Sequence, residues 1–287
     1  MNTDCTFFLS TYDGGEDLWE GFFKALSVQW PEMDMPIVMN TETKSYSYPG
    51  YDIKTFKPSV NEKQTWSERL ISVLNHVETE FVLLFLEDFW LAQKVDDEFF
   101  RKTLCWMKEN PDVANFSFFP CLPGTNIDDG RFERFELRPQ ECEYKFNCQV
   151  GLWRTKELIS FFRLHESPWE WELYGSIRAG RCKQKFYSLK ESVPYIFYYG
   201  DPLKGCMVCR GKWVKDQVMP LVEMYGLNID FSKRGFYDAN QVVVKKNPRL
   251  RSFIKKYLLL GPILDFYYIK KQNYRKWLSV REIKNEL

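Results

Sequence analysis

Over residues 1–120, short apolar runs alternate with longer stretches of helical spacing, which predicts a mostly parallel sheet covered by helices on both faces. Cys5–Thr11 reads as the first strand. Asp17–Trp30 follows with apolar residues at helical intervals (Leu18, Phe22, Ala25, Leu26), and Pro31 ends it. Pro36–Met39 and Tyr51–Phe56 read as strands two and three. Trp66–Val77 repeats the helical spacing through Leu70, Val73, Leu74 and Val77, with Thr65 or Ser67 available as a cap. It leads into the continuous run Phe81–Leu86, the pattern of a strand buried on both faces and the best candidate for the centre of the sheet. Asp96–Asn110 is a helix with an acidic first turn, and Ala114–Phe119 another strand. After Pro120 a Gly/Asp-rich loop leads to alternating segments at Phe132–Leu137 and Cys148–Trp153, which predict antiparallel strands and hence a mixed sheet. Thr155–Phe162 reads as a short helix. Ser167-Pro168-Trp169-Glu170 opens another, running to about Ala179, with Ser at the cap, Pro at the first position and Glu at the third. Gly200–Gly211 and Phe231–Gly235 read as loops around a helical stretch at Trp213–Tyr225. No internal repeat or low-complexity segment is present.

Charge divides the chain. The formal net charge of +1 argues against a nucleic-acid partner, but from Arg249 onward ten basic residues face three acidic ones, leaving residues 1–248 at net −6. Two regions follow from this: a main domain at 1–248 and a basic, aromatic, helical extension at 249–287. The extension pairs cations (Lys255-Lys256, Lys270-Lys271, Arg275-Lys276) with Leu, Phe, Tyr and Trp. Such a helix can lie on an anionic membrane surface, each cation adding about 1 kcal/mol, or pack its apolar side on the acidic body. Eight cysteines, several inside apolar runs, predict buried free thiols in a reducing, cytoplasmic compartment rather than a disulfide framework. The start of the chain lacks a basic region and a long apolar run, and no apolar stretch reaches the roughly 20 residues of a spanning helix.

Ligands of open α/β sheets bind beyond the carboxyl ends of the strands, which directs attention to two places. After the first strand stands Thr11-Tyr12-Asp13-Gly14-Gly15, where Tyr12 can stack on a base and Asp13 can accept a hydrogen bond from base or ribose; Asp13 can equally cap the next helix. After Phe81–Leu86 stands Glu87-Asp88, followed by Phe89-Trp90-Leu91. Two carboxylates among so many apolar neighbours need a cation or several donors to offset their desolvation. A hard divalent ion, Mn²⁺ or Mg²⁺, suits them and leaves coordination positions for diphosphate oxygens; the competing readings are a turn cap or an arginine pair. Cys206-Met207-Val208-Cys209 is a single CxxC without a second matching pair, which argues against structural zinc. No GxGxxG, Walker-type or GxSxG motif occurs, and two histidines in the whole chain argue against histidine-based catalysis.

FVLLFLEDFWL after the Trp-Ser-Glu-Arg helix, STYDGGEDLW near the start and SPWEWE further on resemble bacterial glycosyltransferases of the GT-A class found in capsule and lipopolysaccharide assembly, over roughly residues 1–240. That resemblance implies a GT-A-like (Rossmann-like) α/β fold and a nucleotide-sugar donor. It implies nucleotide contacts from Thr11, Tyr12, Asp13 and Arg69, and a divalent cation held by Asp88 and Glu87. The sequence departs from the family's DxD pattern: Leu86 and Trp90 stand where a spaced acid would be expected, so the motif is contracted. An inverting transferase also needs a carboxylate to deprotonate the acceptor hydroxyl, a role open to Glu170 or Glu172, while Trp169 and Trp171 can stack on sugar rings. Glu170 at the third helical position is equally explained by a capping box with Ser167. The acceptor implied is a saccharide or lipid-linked saccharide at the inner face of the cell membrane. The rival readings are a non-catalytic saccharide-binding or scaffold protein on the same fold, and a nucleotidyltransferase, which Glu16-Asp17 after Gly14-Gly15 disfavours.

Overall fold

The computed structural model describes residues 4–57, 64–121, 124–200, 206–238 and 274. Strands β1 (Cys5–Ser10), β2 (Ile37–Asn40), β3 (Ile53–Phe56), β4 (Phe81–Leu86), β5 (Val113–Ser117), β6 (Phe135–Leu137), β7 (Gly151–Arg154) and β8 (Lys185–Leu189) form one sheet in the order β3-β2-β1-β4-β7-β5-β8-β6. β3, β2, β1 and β4 are mutually parallel. β7 is antiparallel to both β4 and β5, β8 parallel to β5, and β6 antiparallel to β8. Six of the eight strands therefore point one way, in the mixed, mostly parallel α/β class read from the sequence.

Helices α1 (Glu16–Gln29), α2 (Trp66–Leu74), α3 (Asp97–Glu109), α4 (Thr155–Ser160), α5 (Pro168–Ala179) and α6 (Lys215–Tyr225) cover both faces. The alternation of side chains along β1 and β4 explains how. Phe7, Leu9, Phe81, Leu83 and Phe85 join α1, α3 and α6 in one core, through Trp19, Phe22, Phe100, Leu104, Val218 and Leu221. Phe8, Val82 and Leu84 point the other way, onto Leu70 and Val73 of α2, Leu158 of α4 and Trp171 of α5. All residues of β1 are buried and only Leu86 of β4 is partly exposed, so these two strands form the middle of the sandwich.

Three elements differ from expectation. β8, Lys-Phe-Tyr-Ser-Leu, is absent from the sequence reading because a lysine, a tyrosine hydroxyl and a serine interrupt its apolar pattern. Its polar atoms are satisfied in place: Tyr187 Oη donates to Asp129 Oδ2 at 2.8 Å, and Ser188 Oγ accepts from Asn126 Nδ2 at 3.2 Å. Part of the Gly200–Gly211 region is a hairpin, β9 (Val208–Cys209) with β10 (Lys212–Trp213), closed by Arg210 and Gly211 at φ 51° and 79°. Two consecutive positive φ values are what a two-residue hairpin turn of native twist demands. The Cys148–Trp153 strand begins only at Gly151, leaving 148–150 as irregular backbone. All eight cysteines are free.

Met1–Phe236 is one compact unit and Tyr237–Leu287 a second. The predicted basic extension, with its boundary at 248, lies outside the described residues except for Tyr274, which is helical and exposed. Among the described residues no helix is long and apolar enough to cross a membrane.

Candidate functional site

Strand register brings the predicted residues together. Ser10 pairs with Leu86 across β1 and β4, and with Asn40 across β1 and β2, so Thr11 and Glu87 emerge side by side at the carboxyl edge. Antiparallel β7 delivers the residues before Gly151 to that same edge, because Gly151 pairs with Leu84. A cleft of about 300 Å³ opens there; Thr11, Tyr12, Arg69, Glu87 and Asp88 all line it, joined by Trp66, Cys148, Pro168, Val208 and Arg234.

The two carboxylates stand in the cleft wall and neither forms an ion pair among the described residues. Burial raises the proton affinity of both; Asp88's charge raises Glu87's further, and Arg234 opposes the rise in each. The hairpin grips the backbone at this point: Met207 N–H donates to Asp88 O at 3.1 Å, and the Val208 N–H bonds the Asp88 carboxylate. Glu87 leans the opposite way, toward the β1–α1 turn. A Cβ on Gly15 would lie 2.9 Å from Glu87 Oε1 and 3.2 Å from Thr11 Oγ1, so only a glycine lets the turn approach this closely. Adjacent, half-buried oxygen donors that form no ion pair among the described residues fit a hard divalent cation. Among the described residues no group of three His, Cys, Asp or Glu side chains gathers, so the protein would supply two carboxylates and leave the remaining positions to water and ligand oxygens.

The surrounding side chains are fixed by their neighbours. The Thr11 backbone N–H donates to Asn40 Oδ1 at 2.8 Å, and its hydroxyl accepts from Trp19 Nε1 at 2.8 Å. Arg69, mostly buried, pairs with Glu42, whose other oxygen accepts from Asp13 N–H at 3.3 Å. Arg234 clamps Asp17 with two bonds of 2.6 Å and donates to Gly14 O, tying the Phe231–Lys233 turn to the start of α1. With Arg69 it supplies fixed positive charge on the cleft wall.

Three candidates have structural tasks, which for Glu170 is the capping box read as its alternative. Asp13 is a clamp: its carboxylate accepts from the backbone N–H groups of Glu42 (3.0 Å), Thr43 (3.0 Å) and Lys44 (3.3 Å) and from Thr43 Oγ1 (2.5 Å). Against the opposing effect of burial, these donors hold its pKa below the ordinary value and use the lone pairs a ribose or base would need. Glu170 completes the capping box, accepting from Ser167 N–H at 3.0 Å and Ser167 Oγ at 2.8 Å, and does not line the cleft. Trp171 offers no face to a sugar. It is fully buried, stacked on Phe162 at 5.1 Å and against Phe146 at 4.4 Å, and its contact with Trp66 at 5.9 Å makes it a support for a cleft residue.

Glu172 stands one residue behind the cleft, accepting from the N–H of cleft-lining Cys148 at 2.8 Å; burial raises its proton affinity against that bond. Trp169 is 73% exposed beside cleft-lining Pro168. Beside Trp66, whose helix the sequence showed without a site role, the cleft residues that sequence reasoning missed include Arg234, Val208 and Cys148. They reach the cleft through long-range topology, and no local pattern marks them.

No protein-family model matches the chain, and no curated protein matches it. Solved structures of similar chain course include S. aureus TarS 1-349, at 14% identity and TM-score 0.47 over 99% of this chain and 92% of that one. Another is the mannosyltransferase PcManGT from Pyrobaculum calidifontis in complex with GDP-Man and Mn²⁺, at 13% identity and TM-score 0.45 over 67% and 57%. A third is an active-site mutant of LgtC, at 13% identity and TM-score 0.39 over 64% and 72%. These are likenesses of chain course alone.

Proposed function

We propose that the chain is a GT-A-like glycosyltransferase that moves a sugar from a nucleotide-sugar donor to a saccharide or lipid-linked saccharide acceptor. The observation that supports this reading best is the convergence of Thr11, Tyr12, Arg69, Glu87 and Asp88 on one cleft at the carboxyl edge, with a second arginine, Arg234, on its wall. In this reading Tyr12 and Trp66 present aromatic surface to the nucleobase, and the Thr11 turn carries the ribose. Arg69 and Arg234 face the diphosphate. Asp88 and Glu87 would hold a divalent cation, which when bound neutralises charge developing on the leaving diphosphate.

Glu172 is the candidate base for the acceptor hydroxyl: Glu170 is held by its cap, whereas Glu172 bonds the backbone of cleft-lining Cys148, and burial raises its proton affinity. A single base and no second nucleophilic carboxylate favour inversion. Trp169 remains the candidate for stacking on the acceptor. The basic extension from Arg249 supplies the cations for an anionic membrane surface at the cytoplasmic face, the setting for surface polysaccharide assembly.

The test is thermal stability with UDP, GDP and CMP, each with and without Mn²⁺. One nucleotide should raise the melting temperature only with Mn²⁺, and Asp88→Ala should abolish that rise. No response to any nucleotide overturns the reading and favours a non-catalytic saccharide-binding protein.

A further inference from the structure

A second cavity, of about 310 Å³, lies at the same edge of the sheet but farther along it, lined by Pro120, Asn126, Glu136, Leu189, Glu191 and Ser192. Its position follows from topology. β5 and β8 run parallel to β4, so the segments that leave them, 118–121 and 190–199, emerge on the side where Glu87 and Asp88 stand. β8 is three strand positions from β4. At about 4.8 Å per strand the cavity is on the order of 14 Å from the cleft along the sheet.

The surface beside the cavity is aromatic. Phe119 immediately precedes Pro120, and its ring lies 6.4 Å from that of Tyr195, which lies 5.9 Å from that of Tyr198. Tyr195 is 37% exposed, and the other two are partly exposed. This platform connects to the cleft. Ala92 N–H donates to Tyr198 O at 2.7 Å, and Phe89, next to Asp88, stacks on Tyr199 at 4.4 Å with ring planes 9° apart. Tyr199 Oη in turn donates to Gln149 Oε1 at 2.6 Å, one residue from cleft-lining Cys148. Packed and hydrogen-bonded residues therefore run from the carboxylate pair to the aromatic platform.

Aromatic faces flanked by hydrogen-bonding side chains suit sugar rings, whose C–H faces stack while their hydroxyls donate. The charged side chains lining this cavity are both acidic, Glu136 and Glu191. They accept from hydroxyl or ammonium groups and repel carboxylate or phosphate. We propose that this cavity and platform form a subsite for the body of an oligosaccharide acceptor, and that the acceptor is neutral or amine-bearing rather than polyanionic. The inference rests on the transferase reading for the word acceptor. The site itself is defined by its own residues, and its distance from the cleft calls for an acceptor longer than one sugar.

Calorimetric titration of the full chain with maltotetraose, chitotetraose and tetragalacturonate tests it, alongside separate titrations with UDP, GDP and CMP plus Mn²⁺. At least one of the two uncharged tetrasaccharides should bind, at least tenfold more tightly than tetragalacturonate. Tyr195→Ala should weaken the better of them about tenfold, as loss of an aromatic stacking partner does. Glu191→Arg, at an exposed position, provides a second variant and should narrow or invert the preference against tetragalacturonate. Absence of binding by both uncharged sugars, equal or tighter binding of tetragalacturonate, or affinities unchanged in both variants overturns the subsite. If a nucleotide binds and no saccharide does, the subsite falls and the transferase reading stands. If saccharides bind as expected and no nucleotide does, the transferase reading falls and the site stands as that of a saccharide-binding protein.

Discussion

Gly15→Ala separates the stability of the β1–α1 turn from its role in placing Glu87. The φ of Gly15 is −94°, so alanine meets no backbone strain, and the loss of unfolded-chain freedom would by itself stabilise by about 0.4–1 kcal/mol. The new Cβ, however, would stand 2.9 Å from Glu87 Oε1, about 0.5 Å inside ordinary contact, and 3.2 Å from Thr11 Oγ1. The Glu87 carboxylate is the end of a flexible side chain and gives way at little cost, whereas the Thr11 hydroxyl is pinned by Trp19. The strain therefore falls on Glu87, which must swing away from the turn. The net change in folding stability should stay within about 1 kcal/mol, or about 2–4 °C in melting temperature. Displacing a site group by a fraction of an ångström to one ångström costs up to about 100-fold in transfer rate. The expected result is a protein that melts within a few degrees of the parent but binds its nucleotide with Mn²⁺ at least tenfold more weakly, read by calorimetry. Unchanged Mn²⁺-dependent nucleotide affinity in a normally folded Gly15→Ala protein would refute the placement of Glu87 at the metal.

Asp13→Asn should loosen the 42–44 loop, because an amide in place of one carboxylate oxygen cannot accept from its present donors. Weaker nucleotide binding together with faster amide exchange at Thr43 and Lys44 would register it. Arg234→Met removes the clamp on Asp17 and a positive charge from the cleft; nucleotide affinity should fall and become less sensitive to salt, as titrations at two ionic strengths would show. Because burial raises the Glu172 pKa, the folded state holds that proton more tightly than the unfolded chain; the stability this group contributes is complete below the ordinary glutamate range and declines as pH rises through it. Glu172→Gln should thus gain stability relative to the parent near neutral pH and little in mild acid, measured by urea unfolding at both, while losing transfer activity. Native alkylation should label exposed Cys105 first and leave Cys5 and Cys206 unreacted, since burial holds both thiols protonated.

The legible parts of the fold are those where one local rule suffices. β4 is a run of six apolar residues, the pattern of a strand buried on both faces, and the Ser167/Glu170 capping box marks one helix start, while for α2 the sequence left Thr65 and Ser67 open as caps and the structure uses Thr65. Tyr187 and Ser188 hid β8 because their partners, Asp129 and Asn126, lie some sixty positions away in the chain. The site divides in the same way. Thr11, Tyr12, Glu87 and Asp88 were readable because strand ends in an open sheet share one edge. Arg234 reaches that edge only by returning to Asp17 across more than 200 residues. Trp171 shows the opposite failure. An aromatic residue beside a candidate site reads the same whether it faces ligand or core, and only the positions of Phe146 and Phe162 decide it.

The loop that precedes α5 ties stability to the cleft. Glu166 and Arg178, 0% and 2% exposed, form a two-bond ion pair at 2.6–2.7 Å. The same loop holds the start of α2, since Ser67 Oγ donates to Glu166 O at 2.9 Å and Thr65 Oγ1 to Leu164 O. From α2, Trp66 and Arg69 face the cleft. Glu166→Gln leaves a buried guanidinium without its counter-charge and should cost about 3–5 kcal/mol, whereas Glu166→Leu with Arg178→Met removes both charges and should restore most of that loss. At about 2–4 °C per kcal/mol the single substitution should lower the melting temperature by roughly 10 °C. A loss below about 1 kcal/mol would show that the pair is solvated after all. The double variant carries the more telling readout. Stability regained with nucleotide affinity still reduced would mean that the charge pair sets the pose of the 164–167 loop and, through it, of Trp66 and Arg69. Full recovery of both would mean that packing around Trp171 alone holds α2 against the cleft.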